Sequence, residues 1–456
     1  MVQIEQNTYL DMQLNRRQFL FYLSIISLIC ISFGKKLFDP LKEQFETEQR
    51  ARVETDSFIE QHKEQLKKIE LGTTLCPVFI EKICPDATPE LVVDFLKKLH
   101  ITQVRLSMRW NKCVTEQNQI DLSFYLPWLK ALTQGGIKIT LSCGPIKSPR
   151  YPESYVPHHI SYFLTRLSQP YYRSHPISLE QLEREFGTTF MGSLPAQLKE
   201  QIARQGYLPA IQQFVESGLP LAACALSYLD KLLPALKKEL GAGMDQIVMF
   251  NPENESQNPF GTGKYIMKFG YMQQVCETIL RHQPDAAFLF NCAGVSDTST
   301  SSLEQTAALA LYLQQLFPQA SFTVGMDSYE EQDIFKFPYF NFFPDTISAL
   351  SILYSDQIIT STLAELAEHG ISFEATELQF ERWVTLLREH PPGTLYHLQF
   401  MLLRYMNSFL KDDSQLVRVW GFEQFLKKYL IHPEDPEIKK LIPFIQRINT
   451  QSQQPL

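Results

Sequence analysis

The feature of this 456-residue sequence that most constrains its fold is a regular alternation of short apolar segments with longer helical stretches. Eight segments have the length and the β-branched or aromatic content of buried strands. The predicted strands are Gly72–Phe79, Gln103–Met108, Lys138–Ser142, Gln246–Phe250, Ala286–Phe290, Ser321–Gly325, Ser372–Thr376 and Leu416–Trp420. The helices predicted between them are Pro89–Leu99, Leu122–Gly135, Leu221–Leu240, Lys264–His282, Leu303–Leu316, Ala364–His369 and Thr394–Leu410. This order predicts an α/β protein whose residues 71–445 form a (β/α)8 TIM barrel.

A doubly wound open sheet is the alternative arrangement for alternating strands and helices. Such a sheet that binds a nucleotide carries a glycine-rich turn after its first strand. The sequence has no such turn there, and the Gly261-Thr-Gly263 motif lacks the third glycine of a dinucleotide-binding loop. The closed barrel is therefore favoured.

The connection after the third predicted strand is unusually long. Residues 148–241 separate strands three and four and contain helical stretches as well as Pro- and Tyr-rich ones. In a barrel, a loop that follows a strand lies at the carboxyl face. We expect this insertion to shape or cap a cleft at that face.

The N-terminus carries an uncharged apolar run, Phe19–Phe33, preceded by Arg16 and Arg17. The run resembles a twin-arginine export signal, but no small-residue cleavage site follows, so residues 1–40 are predicted to be an uncleaved membrane anchor. Basic residues that follow the run favour a cytoplasmic barrel by the positive-inside rule, whereas the twin arginines favour export. We expect an exported, membrane-anchored barrel.

Two polar segments flank the predicted barrel. Residues 41–70 are rich in charge and are predicted to be a helical linker, either a solvated stalk or a helix packed on the outside of the barrel. Residues 446–456 are predicted to be a polar tail.

Charge and motif content exclude several classes of function. Lys and Arg number 42 against 50 Asp and Glu, for a net charge of −8, which argues against nucleic acid as a partner. None of the eight cysteines forms a C-x-x-C pair, and the ten histidines form no H-E-x-x-H motif. The sequence predicts neither a metal site nor a cofactor.

Two glutamates follow predicted strands at positions suited to acid–base chemistry. Glu255 follows strand four, and Glu377 ends strand seven. Because active sites of such barrels lie at the carboxyl ends of the strands, both carboxyl groups are expected at the mouth. Glycoside hydrolysis needs two carboxyl groups of this kind, one to protonate the leaving oxygen and one to attack the anomeric carbon. Arg105 and Tyr329, from neighbouring strand ends, are suitable donors to keep one of them ionised.

These motifs resemble the clan A glycoside hydrolases, which are retaining enzymes built on (β/α)8 barrels. Asn254-Glu255 is similar to their strand-four pair, and Glu377 in T-E-L-Q is similar to the segment that carries their nucleophile. The run from Arg105 to Trp110, R-x-S-x-x-W, resembles strand two of the β-glucosidase-type members. The resemblance implies a carbohydrate substrate, with Glu255 as acid/base, Glu377 as nucleophile and Asn254 at the sugar 2-hydroxyl.

The resemblance also implies contacts around these residues. Arg105 would support the nucleophile, Tyr329 on strand six would touch it, and Trp420 on strand eight would stack on a sugar face. Trp110, Glu381 and Trp383 are further candidate sugar contacts.

The assignment of both carboxylates has rivals nearby in the sequence. Glu253 is the acid if the strand register differs by one or two residues, and Glu374 and Glu381 are two rivals near Glu377. Among these, Glu255 is preferred because Asn254 precedes it.

The separation of the two carboxyl groups distinguishes the possible functions. We expect a retaining glycosidase of a β-linked sugar, with carboxyl groups about 5–5.5 Å apart. An inverting enzyme would show about 6.5–9.5 Å. A larger gap would favour the alternative, a membrane-tethered glycan-binding barrel without catalysis, and transglycosylation stays open.

Overall fold

The computed structural model describes residues 53–150, 154–161, 180, 200, 219–258, 266–293, 302–328, 359–380, 394–410 and 415–452. Eight parallel strands pair in chain order and close into a barrel, which confirms the predicted architecture. The strands are β1 Ile69–Leu75, β2 Gln103–Ser107, β3 Lys138–Ser142, β4 Ile247–Asn251, β5 Ala287–Cys292, β6 Ser321–Ser328, β7 Ser372–Gln379 and β8 Gln415–Trp420.

Helices follow or precede the strands around the outside of the barrel. They are α1 Thr55–Gln61, α2 Lys63–Leu66, α3 Pro77–Ile83, α4 Pro89–Lys98, α5 Leu126–Gln134, α6 Leu219–Leu240, α7 Phe269–His282, α8 Ser302–Leu316, α9 Leu395–Ser408, α10 Phe422–Ile431 and α11 Pro436–Ser452. Residues 359–368 are also helical. The described residues also contain two 3₁₀ turns, at Trp110–Lys112 and Gly241–Gln246.

All eight predicted strands are present, and their ends differ by a few residues. The first was predicted to run to Phe79, but Pro77 begins α3 instead. Proline fits the first turn of a helix because its missing N–H has no helical acceptor there. β6 and β7 each extend three residues beyond the predicted ends, to Ser328 and Gln379.

Strand β5 illustrates why these apolar segments need both faces buried. Phe288 and Phe290 stack on Phe322 of β6, with ring centroids 5.5 and 6.1 Å apart. Side chains alternate along a strand, so Leu289 and Asn291 point to the opposite side. That side is the barrel interior, where Asn291 joins the polar groups described below.

The N-terminal linker packs on the barrel over its described part. Phe58 of α1 and Leu66 of α2 are fully buried, and the Phe58 ring lies 5.6 Å from that of Phe444 in α11. Strand β1 begins at Ile69, before the predicted boundary. Residues 53–70 are thus not a solvated stalk, because their apolar side chains cover the barrel, as in the second alternative.

The predicted polar tail begins inside a helix. Helix α11 continues to Ser452, and Ile448 and Asn449 are buried. Asn449 Oδ1 accepts a hydrogen bond from the Leu71 backbone N–H at 2.8 Å. The barrel therefore extends past residue 445, since this helix supplies a hydrogen-bond partner to β1.

Several sequence predictions lie outside the described residues. The apolar run Phe19–Phe33 and most of the insertion, residues 148–241, are among them. Of the helices in the part of the chain that the structure describes, none combines the length and apolar character needed to cross a bilayer. The last part of the insertion is α6, which is the regular barrel helix before β4.

Candidate active site

Three carboxylates meet at the carboxyl ends of the strands. Glu255 follows β4, Asp327 lies near the end of β6 and Glu377 lies near the end of β7, and all three are buried. One oxygen of each lies within 4.8 Å of the others. The structure thus brings Glu255 and Glu377 together, as their sequence positions predict.

Glu377 is bonded to the guanidinium of Arg105, which is buried on β2. The same Arg105 nitrogen donates to Asn254 Oδ1 at 3.2 Å. A buried cation in contact favours the ionised form of a carboxylate. The structure thus places Arg105 against Glu377, the contact that the resemblance implies.

A bulge in β7 aims Glu377 into the barrel. Met326 and Asp327 of β6 pair with Ala375 and Glu377, so Thr376 is an extra residue in β7. Side chains normally alternate along a strand, but both Thr376 and Glu377 reach interior groups here, Asp327 and Arg105.

Gly325 of β6 makes room for this bulge. A Cβ at Gly325 would lie 2.4 Å from Thr376 Cγ2, far inside van der Waals contact. A side chain at position 325 would therefore push Thr376, and with it the bulge, out of place.

The backbone of Glu255 is held in a conformation that L-residues rarely adopt. Its φ is 44°, in the left-handed region. Asn291 Oδ1 accepts from the Glu255 N–H at 3.2 Å, and Lys147 Nζ donates to the Glu255 carbonyl at 2.8 Å. Strain of this kind persists where surrounding contacts fix it, commonly at functional sites.

The side chain of Glu255 accepts one hydrogen bond from its own loop. Asn258 Nδ2 donates to Glu255 Oε2 at 2.8 Å. This neutral donor orients the carboxyl group without placing a charge beside it.

An amide network joins β4, β5 and β6, and sequence reasoning missed its centre. Asn291 Nδ2 donates to Asn254 Oδ1 at 3.0 Å and to Asp327 Oδ2 at 3.4 Å. Asn251 Nδ2 donates to Asn291 Oδ1 at 3.2 Å. With Asn254 Oδ1 used by Asn291 and Arg105, the amide nitrogen of Asn254 is the part left to face a substrate. The signal available in the sequence was an Asn at the end of an apolar strand, in F-L-F-N.

Glu253, the rival acid, is occupied elsewhere. Its carboxylate accepts from the Lys147 N–H at 2.6 Å, the Ile146 N–H at 3.3 Å and the Tyr271 hydroxyl at 2.7 Å. Burial raises the pKa of Glu253 to about 7, against the lowering effect of these donors. Through these hydrogen bonds, Glu253 connects the loop after β3 to the end of β4. It is not one of the three clustered carboxylates.

Glu374, a rival of Glu377, faces a different cation. It forms an ion pair with Arg418 of β8 inside the barrel. Arg418 also donates to Thr140 Oγ1 at 2.7 Å, and burial, together with the charge of Arg105, lowers the pKa of Arg418 to about 9. Glu374 is committed to this pair, which favours Glu377 as the residue that acts at the mouth.

Trp420 ends β8 at the mouth but is only 3% exposed. The guanidinium of Arg150 lies 4.8 Å from its ring centroid and 3.7 Å from that of Phe79. Arg150 is also paired with Glu423 at 2.7 Å. Arg150 therefore lies over the Trp420 ring, where sugar stacking was expected.

Of the remaining predicted contacts, Trp110 is the one that lies within the described residues. Trp110 is buried against Tyr228, with ring centroids 5.4 Å apart, and its indole N–H has no hydrogen-bond partner in the part of the chain that the structure describes. Tyr329, Glu381 and Trp383 lie outside the described residues.

The three carboxylates are also the set of described side chains with the spacing of metal ligands. Arg105 forms an ion pair with one of them, Glu377, and its positive charge would repel a cation bound among the three. The arrangement therefore suits proton transfer and nucleophilic attack better than metal binding.

Comparisons with known proteins find only distant structural similarities for this chain. No protein-family model matches it, and no curated protein matches it. Similar solved structures include the intracellular xylanase TsXylA from Thermoanaerobacterium saccharolyticum, at 13% identity over 77% of this chain and 86% of that chain, with a TM-score of 0.42. A GH5-4 broad specificity endoglucanase from an uncultured bovine rumen ciliate shows 12% identity over 85% of this chain and 97% of that chain, with a TM-score of 0.43. At these values the likeness says nothing about the activity of this chain.

Proposed function

We propose that this protein is a retaining glycoside hydrolase that uses Glu377 as nucleophile and Glu255 as acid/base. The observation that carries the proposal is their geometry: two buried carboxylates at a barrel mouth, with oxygens within 4.8 Å of each other. Retaining chemistry needs carboxyl groups about 5–5.5 Å apart, whereas inversion needs about 6.5–9.5 Å.

In the first step, Glu377 attacks the anomeric carbon and the glycosidic C–O bond breaks. Glu255 gives its proton to the departing oxygen, so the leaving group departs neutral. The bond formed is an ester between the sugar and Glu377, and Arg105 stabilises the carboxylate before attack because it contacts Glu377 directly.

In the second step, water hydrolyses the glycosyl ester. Glu255, now a carboxylate, takes a proton from the water, whose oxygen bonds to the anomeric carbon while the bond to Glu377 breaks. Both carboxyl groups return to their initial protonation states, and the anomeric configuration is retained after two inversions.

In this proposal, Asn254 binds the sugar next to the reacting carbon. Its Oδ1 accepts from Arg105 and Asn291, which orients the amide nitrogen as a donor. A donor to the 2-hydroxyl oxygen that strengthens in the transition state would raise kcat rather than ground-state affinity alone. The β-linkage of the sugar follows from the family resemblance and is part of the proposal.

The catalytically inactive glycan-binding barrel is the weaker alternative. It would be favoured by carboxyl groups more than about 10 Å apart, well beyond what either mechanism uses. The observed oxygens lie within 4.8 Å. The pairing of Glu377 with Arg105 supports the catalytic proposal further.

A mechanism-based label tests the proposed function. The full-length chain is incubated with a panel of activated 2-fluoro glycosides, and the intact mass and a peptide map are measured. We expect a covalent adduct on Glu377, and the sugar that labels fastest identifies the substrate class. Glu377→Gln should give no adduct and no turnover. A folded protein that is labelled by no sugar and hydrolyses none would contradict the proposal.

The N-terminal anchor remains a separate proposal. Residues 1–40 would hold the exported barrel at a membrane, because an apolar run follows two arginines. Fractionation of cells that express the full chain, followed by protease treatment of intact cells or spheroplasts, tests both parts. Recovery in the soluble fraction contradicts the anchor, and protection of the barrel from protease contradicts export.

A further inference from the structure

The site contains a third carboxylate that the proposed mechanism does not use. Asp327 of β6 pairs in register with Glu377 of β7, and its side chain is buried. One of its oxygens lies within 4.8 Å of oxygens of Glu377 and Glu255. A double-displacement mechanism needs two carboxyl groups, so the third requires its own explanation.

The direct hydrogen bonds of Asp327 come from uncharged side chains. Thr376 Oγ1 donates to Oδ1 at 2.6 Å, and Asn291 Nδ2 donates to Oδ2 at 3.4 Å. Both donors depend on features around the site, since the β7 bulge supplies Thr376 and the end of β5 supplies Asn291. Asn291 in turn holds Asn254 Oδ1 and the Glu255 N–H. Asp327 therefore forms part of the hydrogen-bond network that holds Asn254 and Glu255.

The charges that act on Asp327 come from three elements. Glu377 on β7 and Glu255 after β4 are acidic, and Arg105 on β2 is basic. Arg105 is already bonded to Glu377. Three carboxylates held this close, away from water, cannot all be ionised opposite one guanidinium.

Of the three carboxyl groups, Asp327 is the one best suited to carry a proton. Burial, and then the charges of Glu377 and Glu255, raise the pKa of Asp327 well above its ordinary value. Glu377 must be ionised to attack, and Glu255 must gain and lose a proton in each cycle. Asp327 has neither of these catalytic roles, and its hydrogen bonds come from neutral donors.

We propose that Asp327 is a positioning residue that stays in its neutral acid form and holds Thr376 and Asn291 beside the catalytic pair without competing for Arg105. This role rests on the proposed glycosidase function. A neutral Asp327 leaves Glu377 as the anion that faces the anomeric carbon and that receives the charge of Arg105. An ionised Asp327 would instead be a second anion near Arg105, in competition with Glu377 for its charge.

Infrared difference spectroscopy tests the protonation of Asp327 on the free protein, without any substrate. At neutral pH, the spectrum of the wild type minus that of Asp327→Asn should contain the carbonyl stretch of an un-ionised carboxylic acid. Glu434→Gln is the matched control: Lys439 lowers the pKa of the exposed Glu434, so its difference spectrum should show an ionised carboxylate. Loss of an ionised carboxylate in Asp327→Asn overturns the proposal.

A second variant covers the case in which Asp327→Asn does not fold. Thr376→Val removes the hydroxyl that donates to Asp327 but leaves every charge in place. The acid carbonyl band should persist in this variant and shift in frequency, because its hydrogen bond is lost. An unchanged band position, or no acid band, overturns the proposal.

Kinetics test the positioning role. Asp327→Ala should lower kcat about 100-fold, a loss typical of misplaced catalytic groups. Asp327→Asn should restore kcat to within about ten-fold of the wild type, because the carboxamide keeps the shape and the neutral charge. The alkaline limb of kcat/KM for Asp327→Asn should stay within about 0.5 pH unit of the wild type.

The alternative outcomes separate this role from the function on which it rests. If Asp327 were an anion, Asp327→Asn would remove a negative charge beside the catalytic pair and move the alkaline limb of kcat/KM down by about one pH unit or more. That shift, or a loss as large as that of Asp327→Ala, overturns the positioning role alone when the wild type is labelled on Glu377. A wild type that is neither labelled nor active overturns the proposed function and the role together.

Discussion

Arg105 on β2 donates to the carboxylate of Glu377 on β7 and, from the same nitrogen, to Asn254 Oδ1 at 3.2 Å. One buried side chain thereby fixes the distance between the proposed nucleophile and the group proposed to hold the sugar 2-hydroxyl. Both contacts are set by strand ends of a closed barrel, so they are held before any substrate arrives. Such preorganisation is where enzymes gain much of their rate.

Replacement of Arg105 by lysine should lower kcat/KM about 100-fold. A lysine ammonium is a point charge on a differently shaped side chain, and it cannot keep the guanidinium geometry to both Glu377 and Asn254. Steady-state kinetics on the glycoside that labels the enzyme measure the loss. Arg281→Lys is the control, because Arg281 is exposed and pairs with Asp230 on the surface. Equal activities of the two variants would contradict this role for Arg105.

Replacement of Glu255 by glutamine should affect substrates according to their leaving groups. Loss of a general acid commonly lowers the rate about 10²–10⁴-fold. The loss should be largest for a natural sugar leaving group, which needs the proton, and small for bond cleavage with an activated aryl leaving group. Glu377→Gln should abolish turnover of both, since the nucleophile is required by each. A Glu255→Gln variant that loses the same factor on both substrates would argue against an acid/base role.

The barrel and the positions of Glu255 and Glu377 at its mouth were predictable because they depend on local pattern. Apolar segments of strand length alternate with helices, and the parallel arrangement sends every strand end to one face. Glu255 and Glu377 follow from this rule with no knowledge of long-range contacts. The same rule pointed to Arg105 on β2, whose side chain reaches across the barrel.

The remaining parts of the site depend on features that leave no local pattern. The β7 bulge adds one residue and changes which side chains point inward after Thr376. The left-handed backbone of Glu255 is fixed by Asn291 and Lys147, which are distant in sequence. The sequence alone assigns no role to Asp327 for the same reason, since its importance lies in the carboxylates beside it.

Gly325→Ala should destabilise the protein and reduce activity together. The new methyl would meet Thr376 Cγ2 at 2.4 Å, and overpacking of this kind costs about 1–3 kcal/mol. Movement of Thr376 would also disturb the adjacent Glu377. Chemical denaturation and kcat measure the two effects. Gly270→Ala in α7 is the control: its Cβ would meet nothing within 4 Å, so stability should be unchanged or rise by up to about 1 kcal/mol. Equal behaviour of the variants would contradict the steric role of Gly325.

The buried pair of Glu374 and Arg418 should be more costly to break than to remove. Glu374→Gln leaves the Arg418 guanidinium buried without its counter-charge, which costs about 3–5 kcal/mol. The double variant Glu374→Leu with Arg418→Met removes both charges and should recover most of that loss. Urea unfolding of Glu374→Leu, Arg418→Met and the double variant measures the coupling between the two charges. Additive losses would show that the pair does not act as a unit.

Glu253 should make the stability of the protein depend on pH. Its folded-state pKa is about 7, above the ordinary value of 4.5, so the folded protein binds its proton more tightly than the unfolded chain does. The stability that it contributes is therefore full below about pH 4.5 and falls as the pH rises to about 7, by about 3 kcal/mol in total. Glu253→Gln cannot titrate at this position, so it serves as the reference for the wild type. The free energy of unfolding of the wild type minus that of Glu253→Gln, measured in urea from pH 4.5 to 8, should fall across that window and level off above it. A difference that is constant, or that rises with pH, would show that Glu253 is ionised at low pH in the folded protein, held by the Lys147 and Tyr271 donors.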